Sequence, residues 1–598
     1  MGAVFSSLPG TLLLGALLAG LYRLYRGALP KPLPNIPYNR DAANKLFGDV
    51  PEMMAYVMRT KRIFCWLTSL TMRHQSPIIQ AFIKPMALPW VVVTDPFESQ
   101  DILLRRTKEF DRSGFFGDPI GGILPEQHIQ FVSSDARFKN NRNLINHLMA
   151  PTFITEIIGP QLYKAALTMI RLWELKCSLA EGHPFHAHHD ISYMALDTIF
   201  AGMLGHPETE SVTLGRLDEV SGWEATRDQR LPASEDEPVV FPEPELPAIF
   251  AAALTLANSV TDTQLSPAPR LTSWVLRQFP FMKRATAIKD QYIRDRVDEA
   301  VELIEQDASA PPCTAVHSVL LRERDVAAKE GRQPDYRKRA IADEFFGFML
   351  AGHDTSATTV AWGVKFLADH PAVQDRLRAD LRAAIPDAAL ARRAPTYQEL
   401  SRAHVPYLDA VVEEVLRHAN TIPFVVRRAM QDTTVLGRHI PKGTDVFLMA
   451  NGAGYLEPNM PVPDEMRSPG ARRQHASAAG DNSGGGGGDG SGKKAPALTG
   501  AWDDRDIGAF KPERWLKREA GGGEAFDPMA GPTLAFGLGH RGCFGKRFAL
   551  HGLKIQFALI IWHFHLLKVP DALNSYEAVQ RFAREPTQCY VRLSTTTI

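Results

Sequence analysis

FGLGHRGCFG, residues Phe536 to Gly545, sets four glycines, an arginine and one cysteine within ten positions. Glycines around a cysteine permit positive φ and let a flat partner approach the backbone closely. Successive N–H groups in such a turn point inward and stabilise a thiolate. Arg541 brings a permanent cation two residues before Cys543, suited to a carboxylate on the same partner. The run KRFALHGLKIQFALIIW after Gly545 reads as a helix, and its N-terminal dipole favours an anion at Cys543. A cysteine in this setting could act as a nucleophile, but no adjacent base is evident. A ligand to haem iron uses every feature of the loop at once.

Two further constellations carry chemistry. AGHDTS, Ala351 to Ser356, lies in a long amphipathic pattern. Gly352 has no side chain, which leaves room for a bulky ligand against the helix. Thr355 can return its hydroxyl to the carbonyl of Ala351, loosening the local ladder. Asp354 beside it is a carboxylate, and an acid next to an alcohol relays protons through water. In EVLR, Glu414 and Arg417 share one helical face and can pair, with Arg514 of the downstream FKPERW available as a third member.

Together these residues resemble the cytochrome P450 superfamily. Phe536, Gly539, Arg541, Cys543 and Gly545 match its FxxGxRxCxG ligand loop, AGHDTS its AGxDT oxygen-activating segment, and EVLR with PERW its ExxR and PERW network. The resemblance implies haem b with Cys543 as the axial thiolate and metal ligand. Phe536 would shield the sulfur, Gly537 and Gly545 would lie against the cofactor, Arg541 would bind a propionate, and Asp354 with Thr355 would deliver protons. Glu414, Arg417 and Arg514 become structural supports. Where the family often has WxxxR, this chain has Phe138 and Arg142, so Arg142 is a second propionate partner. Arg427 is a third, although neighbouring Arg428 could take that role. His540 stands where proline is common. Family position assigns Phe346, Met349, Ala351, Gly352, Ile422 and Phe424 to the substrate pocket, as parts of a lining that includes Ser113–Leu124 and Thr421–Val426. These are mostly apolar and point to an uncharged, lipophilic substrate.

The elements that must position these residues are mostly helical, with a small β portion. ALPWVVVTDP reads as a buried strand, followed by a helix over Pro96–Arg106. Phe138–Leu321 shows helical spacing, interrupted by a polar loop over Gln229–Pro247. Arg337–His370 forms one helix of roughly 50 Å, stopped by Pro371. A helix over Tyr407–His418 precedes VLGRHIPKGTDVFL, in which Gly and Pro separate two short β runs. Met460–Ala501, with DNSGGGGGDGSGKK, cannot bury apolar surface and is expected to be a disordered insertion.

Composition narrows the rest. Lys plus Arg and Asp plus Glu number 67 each in 598 residues, so no global field recruits nucleic acid. Five scattered cysteines without a CxxC pair argue against zinc and against a disulfide framework. Val4–Tyr22 is uncharged and followed by Arg23 and Arg26. Residues 1–26 are therefore expected to be an uncleaved membrane anchor, 27–36 a proline-set connector, and 37–598 the catalytic domain facing the cytoplasm. No flavin or nicotinamide segment is evident, so electrons must come from a separate partner. Lys139, Arg142, Lys546 and Arg547 offer it a basic face.

The resemblance implies a microsomal, fungal-like monooxygenase at the endoplasmic reticulum membrane. NADPH–cytochrome P450 reductase would be its donor, with cytochrome b5 a possible second one, and its substrate a secondary metabolite. Two other readings stand beside it. One is a haem-thiolate isomerase or dehydratase without oxygen activation, which the intact Asp354–Thr355 pair disfavours. The other is a non-catalytic haem-binding protein.

Overall fold

The computed structural model describes residues 8–223, 231–264, 266, 268–307, 310–478, 499–519 and 521–596. The fold is mostly helical with a small β portion, as expected. It divides into two compact units, Met1–Ser113 with Phe424–Ala495, and Gly114–Pro423 with Pro496–Ile598.

The first unit is built on a five-stranded sheet ordered Ile78–Ala81, Trp90–Val93, Asp445–Met449, Phe424–Ala429 and Phe110–Arg112. WVVV forms its strand because β-branched and aromatic side chains suit a pleated surface buried on both faces. Trp90–Val93 runs parallel to Asp445–Met449, and the other pairings are antiparallel. Asp95 ends the turn after this strand and caps the helix Pro96–Leu104, accepting the Glu98 N–H at 2.7 Å with Pro96 in the first turn. The two short β runs of VLGRHIPKGTDVFL become the hairpin Thr433–Val435/Arg438–Ile440 and the sheet strand Asp445–Met449.

Two expectations for this unit are corrected. The disorder expected over Met460–Ala501 does not extend to residues 460–478, which fold into a turn of 3-10 helix at Asp464–Met466 and a helix at Pro469–Ala478. Charge pairing holds this segment: Arg467 is buried on Asp95, and the Ser468 hydroxyl donates to Asp101 at 2.6 Å. The glycine run of the insertion falls within 479–498, outside the described residues. The second correction concerns the anchor. Leu8–Ala28 forms a helix, but no helix among the described residues is long and apolar enough to cross a membrane. Within it the uncharged run Leu8–Tyr22 spans roughly 22 Å before Arg23, short of a hydrocarbon core of about 30 Å. Residues 1–7 lie outside the described ones.

The second unit holds the helical core. Its longest element is the central helix Arg339–Asp369, 31 residues, followed directly by Pro371 at the start of the next helix. His188–Ile199 and Lys546–His563 pack against it, as does Pro406–Ala419. The approach is close at Gly363. A Cβ there would lie 2.3 Å from Cζ of Phe557 and 3.2 Å from Cγ1 of Val415. Gly363→Ala gains helix propensity of about 1 kcal/mol but must displace a buried ring, which typically costs ~1–3 kcal/mol. The clash is expected to win, lowering the melting temperature. An unchanged or raised value would show that Phe557 can move aside.

SGFFGDPIGG, read as part of a pocket-lining loop, forms the helix Gly114–Ile120. Near the C-terminus a small hairpin pairs Ala578–Gln580 with Arg584–Pro586. It is tied to the helical core by the Trp362 indole, which donates to the Arg584 carbonyl at 2.8 Å.

Candidate functional site

The Cys543 loop is shaped by its own backbone. Gly537 and Gly539 take φ values of +58° and +71°, which L side chains rarely adopt. The turn they make lets the Cys543 N–H donate to the Phe536 carbonyl at 2.7 Å. The N–H groups of Gly545 and Lys546 point at Cys543 Sγ, where the helix Lys546–His563 begins. The cysteine side chain stays accessible, and a Cβ added at Gly545 would meet open space. Cys543 thus lies in an open recess that surrounding protein partly desolvates. Burial pushes the thiol up, while the two N–H groups and the Lys546 and Arg142 cations act in the opposite direction.

Arg541 and Arg142 converge on Phe138. The Arg541 guanidinium lies 3.8 Å from the centre of the Phe138 ring, and that of Arg142 lies 5.7 Å from it. Arg541 Nε donates to Ser133 Oγ at 2.8 Å, and Arg142 Nη1 donates to the His540 carbonyl at 2.9 Å. The His540 ring completes this link, with Nε2 at 2.8 Å from Ser133 Oγ. A phenylalanine therefore holds the two cations through its face, without the indole N–H. Phe544, next to the cysteine, meets Phe348 of the central helix at 5.7 Å. The loop and that helix thus meet within one unit.

On the central helix, Ala351 is exposed although the residues before and after the AGHDTS segment are buried. The Thr355 hydroxyl donates to the Ala351 carbonyl at 2.7 Å, as expected, yet the helix continues as α through this point. Gly352 does not leave space for a ligand. A Cβ there would lie 2.6 Å from Cδ1 of Ile199, so the glycine admits a neighbouring helix. The groups that act on Asp354 come from the hairpin, the Glu585 side chain and the Ala583 N–H. Burial, reinforced by Glu585, pushes the Asp354 carboxyl up to about 7. Sequence reasoning missed Glu585 and Arg581, which lie more than two hundred residues downstream and carry no motif spacing.

The Glu414 network forms as expected. Glu414 accepts Arg417 Nε at 2.9 Å and Nη2 at 2.8 Å, Arg514 Nε at 3.1 Å and the Trp515 indole at 2.9 Å. Burial pushes its carboxyl up, but the bonds from Arg417 and His418 outweigh it and hold Glu414 well below the usual range. Both arginines lie over the Trp502 ring, at 5.4 and 5.5 Å.

The remaining residues are less convergent. Phe346 and Met349 are buried, and the Lys289 ammonium lies 5.1 Å from the centre of the Phe346 ring, so that face is occupied by protein. Ile422 is half-buried. Phe424 and Arg427 belong to the first unit, where the Phe424 ring packs tilted against Phe64 with centres 4.0 Å apart and Arg427 Nη1 donates to the Val426 carbonyl. Arg428 forms a two-pronged pair with Asp445. Lys139, Lys546 and Arg547 are exposed, whereas Arg142 is drawn inward.

The donor set fits haem. A soft sulfur sits in a recess with two N–H groups on it and two arginines beside it, and the central helix exposes Ala351 within the same unit.

Comparison with known proteins agrees with this fit. The profile of the family described as Cytochrome P450 matches residues 71–460 and 508–591. The chain is 36% identical to cytochrome P450 monooxygenase TRI13 of Fusarium sporotrichioides, over 96% of this chain and 97% of that protein. It is 33% identical to cytochrome P450 monooxygenase GME11363 of Pestalotiopsis microspora, over 96% of each. It is 32% identical to cytochrome P450 monooxygenase xilC of Penicillium crustosum, over 96% of this chain and 94% of that one.

Proposed function

Given that the chain belongs to the cytochrome P450 family and is a haem-dependent monooxygenase, we propose that Cys543 is its axial thiolate and that it oxygenates a lipophilic secondary metabolite. When bound, haem supplies dioxygen activation, by which one oxygen atom enters the substrate and the other leaves as water. The observation that carries the assignment is the accessible Cys543 side chain with the Gly545 and Lys546 N–H groups aimed at its sulfur.

This chain's own residues do the rest. The loop amides stabilise negative charge on sulfur, and Arg541 with Arg142 offer cations to the carboxylates of the group. Asp354 and the Thr355 hydroxyl hold and move protons at the central helix, and the Glu414 network holds the segment 507–515 against the helix Pro406–Ala419. The secondary-metabolite reading rests on the fungal monooxygenases that match nearly the whole chain.

Electrons come, in this reading, from a separate NADPH–cytochrome P450 reductase docking on exposed Lys139, Lys546 and Arg547. An address at the endoplasmic reticulum rests on the family. Exposed Leu12, Leu13, Leu14, Leu17 and Leu18 on the helix Leu8–Ala28 are consistent with contact at that membrane's surface.

The test is incubation with such a reductase, NADPH and a panel of uncharged lipophilic metabolites. At least one is expected to shift the haem spin state and yield a product one oxygen heavier. Thr355→Ala is expected to keep the haem while diverting reducing equivalents to hydrogen peroxide, with product formation down ~10²-fold. Unchanged coupling in that variant would remove Thr355 from proton delivery. Turnover confined to charged, polar compounds would overturn the substrate reading.

A further inference from the structure

We propose that Glu344, acting through His128, is a positioning residue for Cys543: the pair clamps the Phe544 ring to the central helix and so fixes the sulfur relative to Ala351 and Thr355. This rests on the reading above, in which Cys543 is the axial thiolate.

The need for a clamp follows from the loop itself. A glycine-rich turn reaches conformations that other residues cannot, and for the same reason it holds none of them firmly. The Cys543 N–H bond to the Phe536 carbonyl closes the turn from within, and Arg541 ties its earlier part to Ser133. The side after the cysteine is held by Phe544. Its half-buried ring meets the His128 ring in an edge contact with centres 5.7 Å apart, the Phe348 ring at 5.7 Å and the Arg142 guanidinium at 5.1 Å.

Two of these three contacts are set by one stripe of the central helix. Glu344, Phe348, Ala351 and Thr355 follow at i, i+4, i+7 and i+11, the spacing of a single helical face. Phe348 belongs to that stripe directly, and His128 is joined to it by Glu344. The Glu344 carboxylate accepts the His128 backbone N–H at 2.6 Å and lies 2.8 Å from His128 Nδ1. A carboxylate only accepts, so Nδ1 carries the hydrogen and the rotation of the ring is fixed. The segment leading to His128 is pinned by the preceding acid as well, since Asp343 accepts the Glu126 N–H at 2.8 Å. The pair is sheltered, with the Glu344 side chain 1% exposed and that of His128 12%. Bonds in such surroundings hold a geometry that an exposed pair does not. Without the imidazole, Glu344 keeps the residue-128 N–H and the Gln127 amide at 3.4 Å, and Phe544 loses one of the two rings that hold it.

The test compares the haem-loaded native chain with Glu344→Ala, Glu344→Gln and His128→Phe. Haem loss is timed by transfer to excess apomyoglobin, and the carbon monoxide spectrum of each reduced sample is followed in parallel. Glu344→Ala is expected to lose haem about 10-fold faster or more, the usual effect of removing a group that orients a metal ligand. Its thiolate-type band should decay in step. His128→Phe keeps a ring beside Phe544 but offers Glu344 no side-chain donor, and should change both readouts in the same direction. Glu344→Gln retains an oxygen for the residue-128 N–H and should fall between. The double variant of His128→Phe with Glu344→Ala should be no worse than Glu344→Ala alone, because the two residues act as one unit. Asp95→Ala controls for general destabilisation. It removes a helix cap and a buried ion pair in the first unit, and should lower the melting temperature while leaving both readouts at native values. Variants that keep haem and band as long as the native chain, additive losses in the double variant, or equal losses in Asp95→Ala overturn the clamp and leave the haem–thiolate assignment standing. A native chain without a thiolate-type spectrum overturns that assignment, and the clamp with it.

Discussion

Replacing Glu414 with alanine is expected to destabilise the protein by ~3–5 kcal/mol and to prevent it from retaining haem. Glu414 is fully buried and accepts hydrogen bonds from Arg417, Arg514, Trp515 and the Lys511 N–H. Its removal takes from Arg417 and Arg514 the buried carboxylate they share and leaves Arg514 with the half-buried Asp506. Set against a total stability of about 5–15 kcal/mol, that loss is a large fraction of what holds the chain together. A surface ion pair would contribute an order of magnitude less. The sign of the pH dependence follows from the depressed carboxyl. Its contribution is fully present above the ordinary value of 4.5 and is lost as pH falls through the lower folded value. Glu414→Ala should therefore lower stability at neutral pH, and the difference from the native chain should shrink only in strong acid. Urea unfolding with a parallel measurement of bound haem decides it. A cost under about 1 kcal/mol with full haem content would show that the arginines find other partners.

How much of this was legible in the sequence depends on how local each signal is. The Cys543 loop and the Glu414–Arg417 pair are read from residues a few positions apart, and the structure builds both. The central helix was anticipated as Arg337–His370 and runs Arg339–Asp369, because its amphipathic pattern is long and ends at a proline. Residues whose partners are distant were not legible. Asp354 was read with its neighbour Thr355, yet the groups that act on it, Glu585 and the Ala583 N–H, come from the docked hairpin. Gly352 was read as room for a ligand, and the room is used by Ile199. The Phe138 substitution left the fate of Arg142 open in sequence, and the ring face turns out to hold both Arg142 and Arg541. Low complexity was extended too far into Met460–Ala478, where Arg467 and Ser468 find buried acidic partners in Asp95 and Asp101. Leu8–Ala28 is apolar enough to suggest a span, but Arg23 and Arg26 fall inside the helix itself.

Cys543→Ser should have the opposite character to Glu414→Ala. The Cys543 side chain is accessible, and its N–H bond to the Phe536 carbonyl does not involve the sulfur, so stability should change by less than about 0.5 kcal/mol. Monooxygenation, by contrast, should be abolished, because serine offers no soft anionic ligand and no comparable electron donation. Folding and chemistry are thereby separated at one atom. A variant that folds normally yet retains full turnover would move the ligand elsewhere.

The measurement that bears most directly on the whole account is the absorption spectrum of the reduced, haem-loaded native chain under carbon monoxide. A band at the position typical of thiolate-ligated haem, lost in Cys543→Ser, is the predicted result. A histidine-type spectrum, or a thiolate band that persists in Cys543→Ser, would contradict it.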